Sequence, residues 1–323
     1  MRIKILTTGG TIAMKIDPES GGAKPALSGD DLVKAMPGIS AFGEIDVEDV
    51  ANIPSDYMGP DIWRRMAIRL NEILSEEDVP GAVITHGTDT LEETAYFMDL
   101  TVKSAKPVVF TGAQRNASEQ DCDGPRNLLN AVRIVTEEEA LGMGVMVSLN
   151  GQICTAKDVT KTHTYAVETF NSGPKGLLGE VVGDQVKFYR KPLHRLTLPV
   201  EKIDSKVDLI AMYTGADGKY IDLAVESGVS AIVIQAFGLG NVSDLFCRAI
   251  ANAIGKGVIV AISTRVPYGH VFPAYDFEGA GSGLRDLGAI FVGDLSPWKA
   301  RILLMLALGV TRDIEELQKI FDS

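Results

Sequence analysis

The sequence of 323 residues predicts an α/β fold in two domains, a larger N-terminal domain with a mainly parallel sheet flanked by helices and a smaller C-terminal α/β domain. Three observations lead to this prediction. Short β-branched runs that are apolar on both faces recur along the chain. Segments with helical periodicity alternate with them. A charged stretch with two prolines interrupts this alternation once, after residue 188.

The predicted strands have the length and composition of parallel strands buried between two layers of helices. Each is a short run of mostly β-branched or aliphatic residues, without the polar and apolar alternation of a half-exposed strand. The predicted strands are Ile3–Leu6, Ala82–Thr85, Val108–Thr111, Val145–Ser148, Leu209–Tyr213, Ile232–Gln235, Val258–Ser263 and Ala289–Val292.

Helices are predicted between these strands. The segment Asp61–Glu76 places its apolar residues on one stripe, which is typical of an amphipathic helix. Thr90 and Glu93 have the spacing of a capping box and predict a helix start. Ser296 followed by Pro297 predicts another, with serine as the N-cap and proline in the first turn.

The interruption divides the chain into an N-terminal catalytic domain over residues 1–188, a linker over 189–206 and a smaller domain over 207–323. A second irregular stretch, Lys15–Ser28, contains two prolines and two glycines directly after the first glycine-rich turn. Loops of this kind often close over active sites, so we expect a lid there.

Composition excludes several classes of function. A net charge of −12 argues against a nucleic-acid backbone as the partner, because phosphate binding needs clustered lysine and arginine. No apolar run reaches the roughly 18–20 residues of a membrane span. The three cysteines match no zinc or redox spacing, and MRIKILTT reads as a buried strand rather than a signal peptide. We therefore expect a cytoplasmic protein that binds neither nucleic acid nor membrane.

Threonines and glycines follow three of the predicted strands. The segments are TTGGT at 7–11, THGTDT at 85–90 and TGAQR at 111–115. Ligands of open α/β sheets bind at the carboxyl ends of the strands, so these turns are the candidate site. TTGGT matches neither nucleotide-binding pattern and lacks a phosphate-binding lysine. Its glycines can instead direct N–H groups at an oxyanion, beside the hydroxyl of Thr11 as a nucleophile.

A nucleophilic threonine needs a group that takes its proton. Thr88 and Asp89 place a hydroxyl and a carboxylate at the end of a neighbouring strand, and Lys161 lies in the threonine-rich segment KDVTKTHT. A carboxylate favours the charged form of a lysine. We therefore expect a relay in which Lys161 and Asp89 orient Thr88 and absorb its proton. Any one of these threonines alone is more often a strand-end residue or a helix cap than a catalytic group, and Asp89 or Lys161 alone is compatible with a turn residue or a solvated charge.

These segments resemble the bacterial-type L-asparaginase family. The similar blocks cover essentially the whole chain: TGGTIA at 8–13, THGTDTLEET at 85–94, TGAQR at 111–115, DGPRNL at 123–128, DVTKTHT at 158–164, RVPYG at 265–269 and SPWKARILLMLALG at 296–309. The resemblance implies hydrolysis of a side-chain amide in two steps through a threonine acyl-enzyme. It implies that neither a metal nor a nucleotide cofactor is needed.

The resemblance also implies roles for individual residues. Thr11 matches the nucleophile, and Thr88, Asp89 and Lys161 match the relay. Ser55 matches the serine that holds the substrate α-carboxylate, and Asp89 would also meet its α-amino group. The implied substrate-binding set is Ser55, Asp56, Gly87, Ala113, Asn241 and Asp276. Asn241 and Asp276 would come from a neighbouring subunit, because the family forms homo-oligomers, usually tetramers built from intimate dimers.

The sequence departs from the family at the lid. The family usually has a lid tyrosine, but the loop MKIDPESGGAKPALSG contains none, and Asp56 follows Ser55 where glutamine or glutamate is common. Either Tyr275 or Tyr57 supplies the phenol and L-asparagine remains the substrate, or the pocket serves another small amide or L-glutamine. A non-catalytic small-molecule sensor is the alternative from another class. We interpret His86 as a hydrogen-bonded core residue rather than a base.

Overall fold

The computed structural model describes residues 1–34, 36 and 38–323. The chain forms two compact units, Met1–Thr197 and Leu198–Ser323. Each unit is built around its own sheet, and helices pack against that sheet. The predicted α/β class, with a larger N-terminal and a smaller C-terminal unit, is confirmed. Within the residues given above, no helix has both the length and the apolar character needed to cross a membrane.

The first unit contains the longer series of elements. Its strands are β1 Arg2–Thr7, β2 Met14–Ile16, β3 Ala23–Pro25, β4 Glu44–Asp49, β5 Ala82–Thr85, β6 Val108–Thr111, β7 Val145–Leu149, β8 Gln152–Thr155, β9 Thr160–Lys161, β10 Phe170–Asn171, β11 Gly179–Val182 and β12 Gln185–Phe188. Its α-helices are α1 Gly29–Lys34, α2 Pro60–Leu74, α3 Leu91–Thr101 and α4 Gly124–Thr136. Short 3-10 turns cover Thr11–Ala13 and Ser55–Tyr57.

The large sheet of the first unit has the strand order β12-β11-β8-β7-β6-β5-β1-β4. The strands from β4 to β7 are parallel, and β8, β11 and β12 extend the sheet by antiparallel pairs. The predicted strands of this unit are all present, and β5 and β6 have the predicted bounds. Side chains of β5, β6 and β7 are buried on both faces, as their apolar composition predicts.

The second unit contains a four-stranded parallel sheet in the order β13-β14-β15-β16. Its strands are β13 Val207–Ala211, β14 Ala231–Ala236, β15 Ile259–Thr264 and β16 Ile290–Phe291. Its helices are α5 Lys219–Glu226, α6 Asp244–Gly255, α7 Gly281–Asp286, α8 Pro297–Ala307 and α9 Ile314–Phe321. The predicted strand Leu209–Tyr213 is shifted by two residues, because Val207 already pairs with Ala231.

Two local predictions were wrong in detail. Thr90 occupies the N-cap position of α3, but within the described chain its side chain makes no capping bond. Its hydroxyl instead donates to the carbonyl oxygen of Ser55 at 2.8 Å, so a tertiary contact replaces the predicted capping box. The predicted irregular loop Lys15–Ser28 is partly regular, since β2 and β3 pair there as a short antiparallel hairpin.

Candidate active site

The three threonine-bearing turns start side by side at one edge of the large sheet. In the parallel register, Thr7 of β1 pairs with Thr85 of β5, and Thr85 pairs with Thr111 of β6. The Thr8 N–H and hydroxyl both donate to the Thr85 carbonyl oxygen, at 3.1 and 3.0 Å. The His86 N–H donates to the Thr111 carbonyl oxygen at 2.9 Å. The chain segments that follow the strands therefore leave the sheet together.

Glycines bring the first two turns into backbone contact. A Cβ atom on Gly10 would lie 2.3 Å from the Gly87 Cα atom, a distance that no side chain tolerates. Gly10 also has a φ of 83°, in the left-handed region that favours glycine. A Cβ atom on Gly87 would lie 2.8 Å from the Ser55 hydroxyl. The segments that carry Thr11, Thr88 and Ser55 thus converge, and glycine is required at the points of approach.

Lys161 reaches the same place from a different part of the chain. Its Nζ donates to the Thr88 hydroxyl at 2.9 Å and to Asp89 Oδ1 at 2.7 Å. The lysine side chain is 14% exposed, whereas that of Asp89 is 62% exposed. The structure therefore brings together three residues of the predicted site, Thr88, Asp89 and Lys161. Thr11 is half-buried in the 3-10 turn whose preceding glycine touches Gly87.

The turn after β6 supplies a second neighbour of Thr88. Gln114 Oε1 lies 3.4 Å from the Thr88 hydroxyl, a long hydrogen bond. Asp123, at the start of α4, accepts from the Gln114 N–H at 3.2 Å and from the Arg115 N–H at 3.0 Å. Asn127 of the same helix donates to the Gly112 carbonyl oxygen at 3.0 Å. These bonds fix the turn that contains the buried Ala113.

Ser55 is buried, and the residues that follow it are exposed. Its side chain lies against Gly87, and its carbonyl oxygen accepts the Thr90 hydroxyl. Asp56 and Tyr57 complete the same 3-10 turn and face solvent, with Tyr57 at 72% exposure. This arrangement can hold one substrate group at Ser55 and leaves most of Tyr57 in contact with solvent.

His86 is fully buried, and its pKa is lowered to about 4. Burial is the main cause, because desolvation disfavours the imidazolium; the contact of Nδ1 with the Gly87 carbonyl oxygen at 2.7 Å acts in the opposite direction. The ring also packs against Phe110. This environment agrees with the interpretation of His86 as a core histidine that is neutral at physiological pH.

Asn241, Tyr275 and Asp276 belong to the second unit. Asn241 follows β14 and exchanges backbone hydrogen bonds with Phe237. Asp276 accepts from the Ser282 hydroxyl at 3.3 Å, and the Tyr275 side chain is 50% exposed. Their predicted roles involve a neighbouring subunit and stay predictions.

Several residues that support the site gave no signal in the sequence. Gln114 and Asp123 lie in segments identified by the resemblance, but the contact of Gln114 with Thr88 and those of Asp123 with the turn after β6 depend on tertiary packing. Glu92, in the segment THGTDTLEET, is buried and accepts from the Lys161 N–H at 3.2 Å. A glutamate in the first turn of a helix normally indicates only a favourable interaction with the helix dipole, so its position alone carried no signal for this contact.

A parallel-sheet fold with hydroxyl, ammonium and carboxylate groups clustered at the strand ends defines the class as an enzyme of the α/β type. Residues 2–194 match the family "Asparaginase, N-terminal", and residues 206–321 match "Glutaminase/Asparaginase C-terminal domain". The chain belongs to the asparaginase family and is a hydrolase that acts on amides.

Relatives and a solved structure match the chain over its length. It is 39% identical to the "Probable L-asparaginase periplasmic" of Haemophilus influenzae, covering 99% of this chain and 92% of that protein. It is 33% identical to the "Glutaminase-asparaginase" of Pseudomonas fluorescens, covering 99% and 89%. The crystal structure of a probable cytoplasmic L-asparaginase from Campylobacter jejuni superposes with a TM-score of 0.91 at 39% identity, covering 100% and 99%.

Proposed function

We propose that the protein hydrolyses the side-chain amide of L-asparagine to L-aspartate and ammonia, with Thr11 as the nucleophile. The observation that carries this proposal is the contact of Lys161 Nζ with both the Thr88 hydroxyl and Asp89 Oδ1, in a turn whose Gly87 touches the Thr11 turn. A pocket used only for binding has no need of an ammonium group aimed at a buried hydroxyl.

The reaction proceeds in two steps. The Thr11 oxygen attacks the amide carbon, the C–N bond breaks, and the threonine proton passes through the Thr88 and Lys161 relay to the departing nitrogen, which leaves as ammonia. Water then attacks the ester on Thr11, and the reverse proton movement restores the hydroxyl and releases the carboxylic acid. Backbone N–H groups of the glycine turns stabilise the oxyanion of each tetrahedral intermediate.

Substrate recognition is assigned to groups around these turns. Ser55 binds the α-carboxylate and Asp89 binds the α-ammonium group, while Gly87 and Ala113 line the pocket through their backbone. Asp56 adds a carboxylate beside Ser55. Support comes from the burial of Ser55 against Gly87 and from the exposure of Asp89, which leaves its carboxylate accessible to a ligand.

L-Glutamine is the second candidate substrate, because a relative named "Glutaminase-asparaginase" is 33% identical over nearly the whole chain. One methylene changes the transition-state binding energy by only about 1–3 kcal/mol. A different small amide is the third candidate substrate, because a lid without a tyrosine changes the shape of the pocket.

The proposal includes a homo-oligomer in which Asn241 and Asp276 of one subunit complete the site of another. Tyr275 or Tyr57 supplies the phenol that the lid lacks. Mixing two inactive variants, Thr11→Ala and Asp276→Ala, tests shared sites: co-expression should restore part of the activity if residues are exchanged between subunits. A protein that is monomeric by light scattering and still active would contradict the proposed sharing of sites between subunits.

We place the protein in the cytoplasm. The structure contains no disulfide among Cys122, Cys154 and Cys247, all of which lie in its described part. One relative is named periplasmic and one structural neighbour cytoplasmic. Fractionation of cells that produce the full-length protein tests the compartment directly.

Ammonia release from L-asparagine, L-glutamine, D-asparagine and a panel of small amides tests the function. L-Asparagine should give the highest kcat/KM, and Thr11→Ala should lower kcat by at least about 10³-fold with an unchanged melting temperature. Thr136→Ala, which removes a hydroxyl near the end of α4, is the matched control. Binding of L-asparagine without ammonia release would support the sensor and refute the proposal.

A further inference from the structure

Lys161 lies in a very short strand. It lies in β9, a strand of two residues that pairs with β10 in a separate two-stranded sheet, outside the large sheet. A two-stranded ribbon is at best marginally stable alone. The position of the lysine backbone therefore depends on contacts that the ribbon makes with the rest of the first unit.

Glu92 makes such a contact. It is the second residue of α3 and is 6% exposed. Its Oε1 atom accepts from the Lys161 N–H at 3.2 Å and from the Thr160 hydroxyl at 3.1 Å. One carboxylate oxygen thus binds both residues of β9. A buried carboxylate is costly unless hydrogen bonds compensate it, so this position is not filled by glutamate for packing alone.

The same chain segment holds both ends of the lysine. Thr88 and Asp89 bind Nζ, and Glu92, in the first turn of the following helix, binds the backbone N–H. The distance between the two attachment points is set by the rigid start of α3. Lys161 is therefore held in an arrangement in which its ammonium group reaches Thr88.

We propose that Glu92 is a positioning residue: its Oε1 atom fixes the backbone of Lys161 so that Nζ meets Thr88. This inference rests on the proposed function, in which Thr88 and Lys161 move the proton. It is the position of the acceptor oxygen that matters. Glutamine at this position retains an acceptor oxygen at the same reach, whereas aspartate retains the charge but withdraws the oxygen by one C–C bond.

The test compares Glu92→Gln, Glu92→Asp and Glu92→Ala. Glu92→Gln should keep kcat within about threefold of the unmodified protein. Glu92→Asp and Glu92→Ala should lower kcat by about 10- to 100-fold with KM changed less than about threefold, because a misplaced relay affects the transition state and not ground-state binding. Glu93→Asp makes the same shortening one residue further along α3 and is the matched control, expected to keep kcat.

A second variant covers a failure of these proteins to fold. Thr160→Val removes the hydroxyl that donates to Glu92 Oε1 and leaves the carboxylate in place, and a loss of about two- to tenfold in kcat is expected at an unchanged melting temperature. A crystal structure of Glu92→Asp gives a readout independent of activity: Lys161 Nζ should no longer lie within hydrogen-bond distance of the Thr88 hydroxyl.

Several results would overturn the proposal. They are an unchanged kcat in Glu92→Asp, an equal loss in Glu92→Gln, an equal loss in Glu93→Asp, or an undisturbed Lys161 in the crystal structure. Failure of the proposed function looks different, since the unmodified protein would then release no ammonia from any amide. In that case the crystal structure of Glu92→Asp still decides whether Glu92 positions Lys161.

Discussion

His86 makes the stability of the first unit sensitive to mild acid. The ring is fully buried beside Phe110, and its Nδ1 atom lies 2.7 Å from the Gly87 carbonyl oxygen, so the neutral tautomer with a proton on Nδ1 is favoured. Its Nε2 atom is buried and has no hydrogen-bond partner among the residues described. Protonation would place a charge on that nitrogen, in a site that offers nothing to compensate it.

The two pKa values of His86 determine whether acid raises or lowers the free energy of unfolding. The pKa is 6.5 in the unfolded chain and about 4 in the folded protein. Between these values the unfolded chain binds a proton at His86 that the folded chain does not. The contribution of neutral His86 to the unfolding free energy is therefore fully present above pH 6.5 and is lost as the pH falls towards 4. A difference of about 2.5 pKa units corresponds to about 3 kcal/mol of unfolding free energy.

Urea unfolding at several pH values between 7.5 and 4, at fixed protein concentration, measures this loss. The comparison variant is His86→Asn, whose amide nitrogen replaces Nδ1 as a donor and does not titrate. The unmodified protein should lose about 3 kcal/mol more than this variant across the range. His194→Asn, at an exposed position, is the control and should behave like the unmodified protein. Equal losses in His86→Asn and the unmodified protein would refute the reasoning.

Three further predictions concern the turns and their support. Gly10→Ala should abolish ammonia release and lower the melting temperature, because its Cβ atom would lie 2.3 Å from a backbone atom of the neighbouring turn; a fully active variant would contradict the contact. Gln114→Met removes the acceptor near the Thr88 hydroxyl and should lower kcat about three- to tenfold at constant KM. Steady-state kinetics with no change in kcat would show that this long bond does not orient Thr88. Arg195→Met removes the guanidinium that pairs with the half-buried Asp99 and should cost about 2–4 kcal/mol in urea unfolding, whereas a loss below about 0.5 kcal/mol would show that the pair does not stabilise the fold.

Burial on both faces explains which strands were predictable. Strands β5 and β6 lie in the middle of the large sheet, so every position is apolar or a buried threonine and the composition reveals them. Strand β4 lies at the edge of the sheet, and its sequence EIDVED alternates acids with aliphatic residues. This alternation is typical of a half-exposed strand. The search for runs that are apolar on both faces therefore did not identify β4. Strands β9 and β10 are too short for any periodicity.

The candidate site was predictable to the extent that it follows from topology. Parallel strands end at one edge of a sheet, so the turns at Thr8, His86 and Gly112 had to be neighbours once the strand order placed β1, β5 and β6 together. The contacts of side chains that arrive from elsewhere were not predictable in this way. Thr90 shows the reason: its hydroxyl can cap a helix or bond a distant carbonyl, and only the packed structure selects the Ser55 oxygen.

Backbone packing holds the turns of the site, and hydrogen bonds hold Lys161. The backbones of the two turns approach so closely at Gly10 and Gly87 that no side chain fits between them. The segments that carry the hydroxyl groups are therefore held in place by the rigid sheet from which they leave. Lys161 is a long side chain on a two-residue strand that pairs with β10, outside the large sheet. Hydrogen bonds hold it instead: Nζ donates to Thr88 and Asp89, and the backbone N–H donates to Glu92. The proposed relay needs both, because the rigid turns define where the proton must go and the bonded lysine defines the geometry in which it travels.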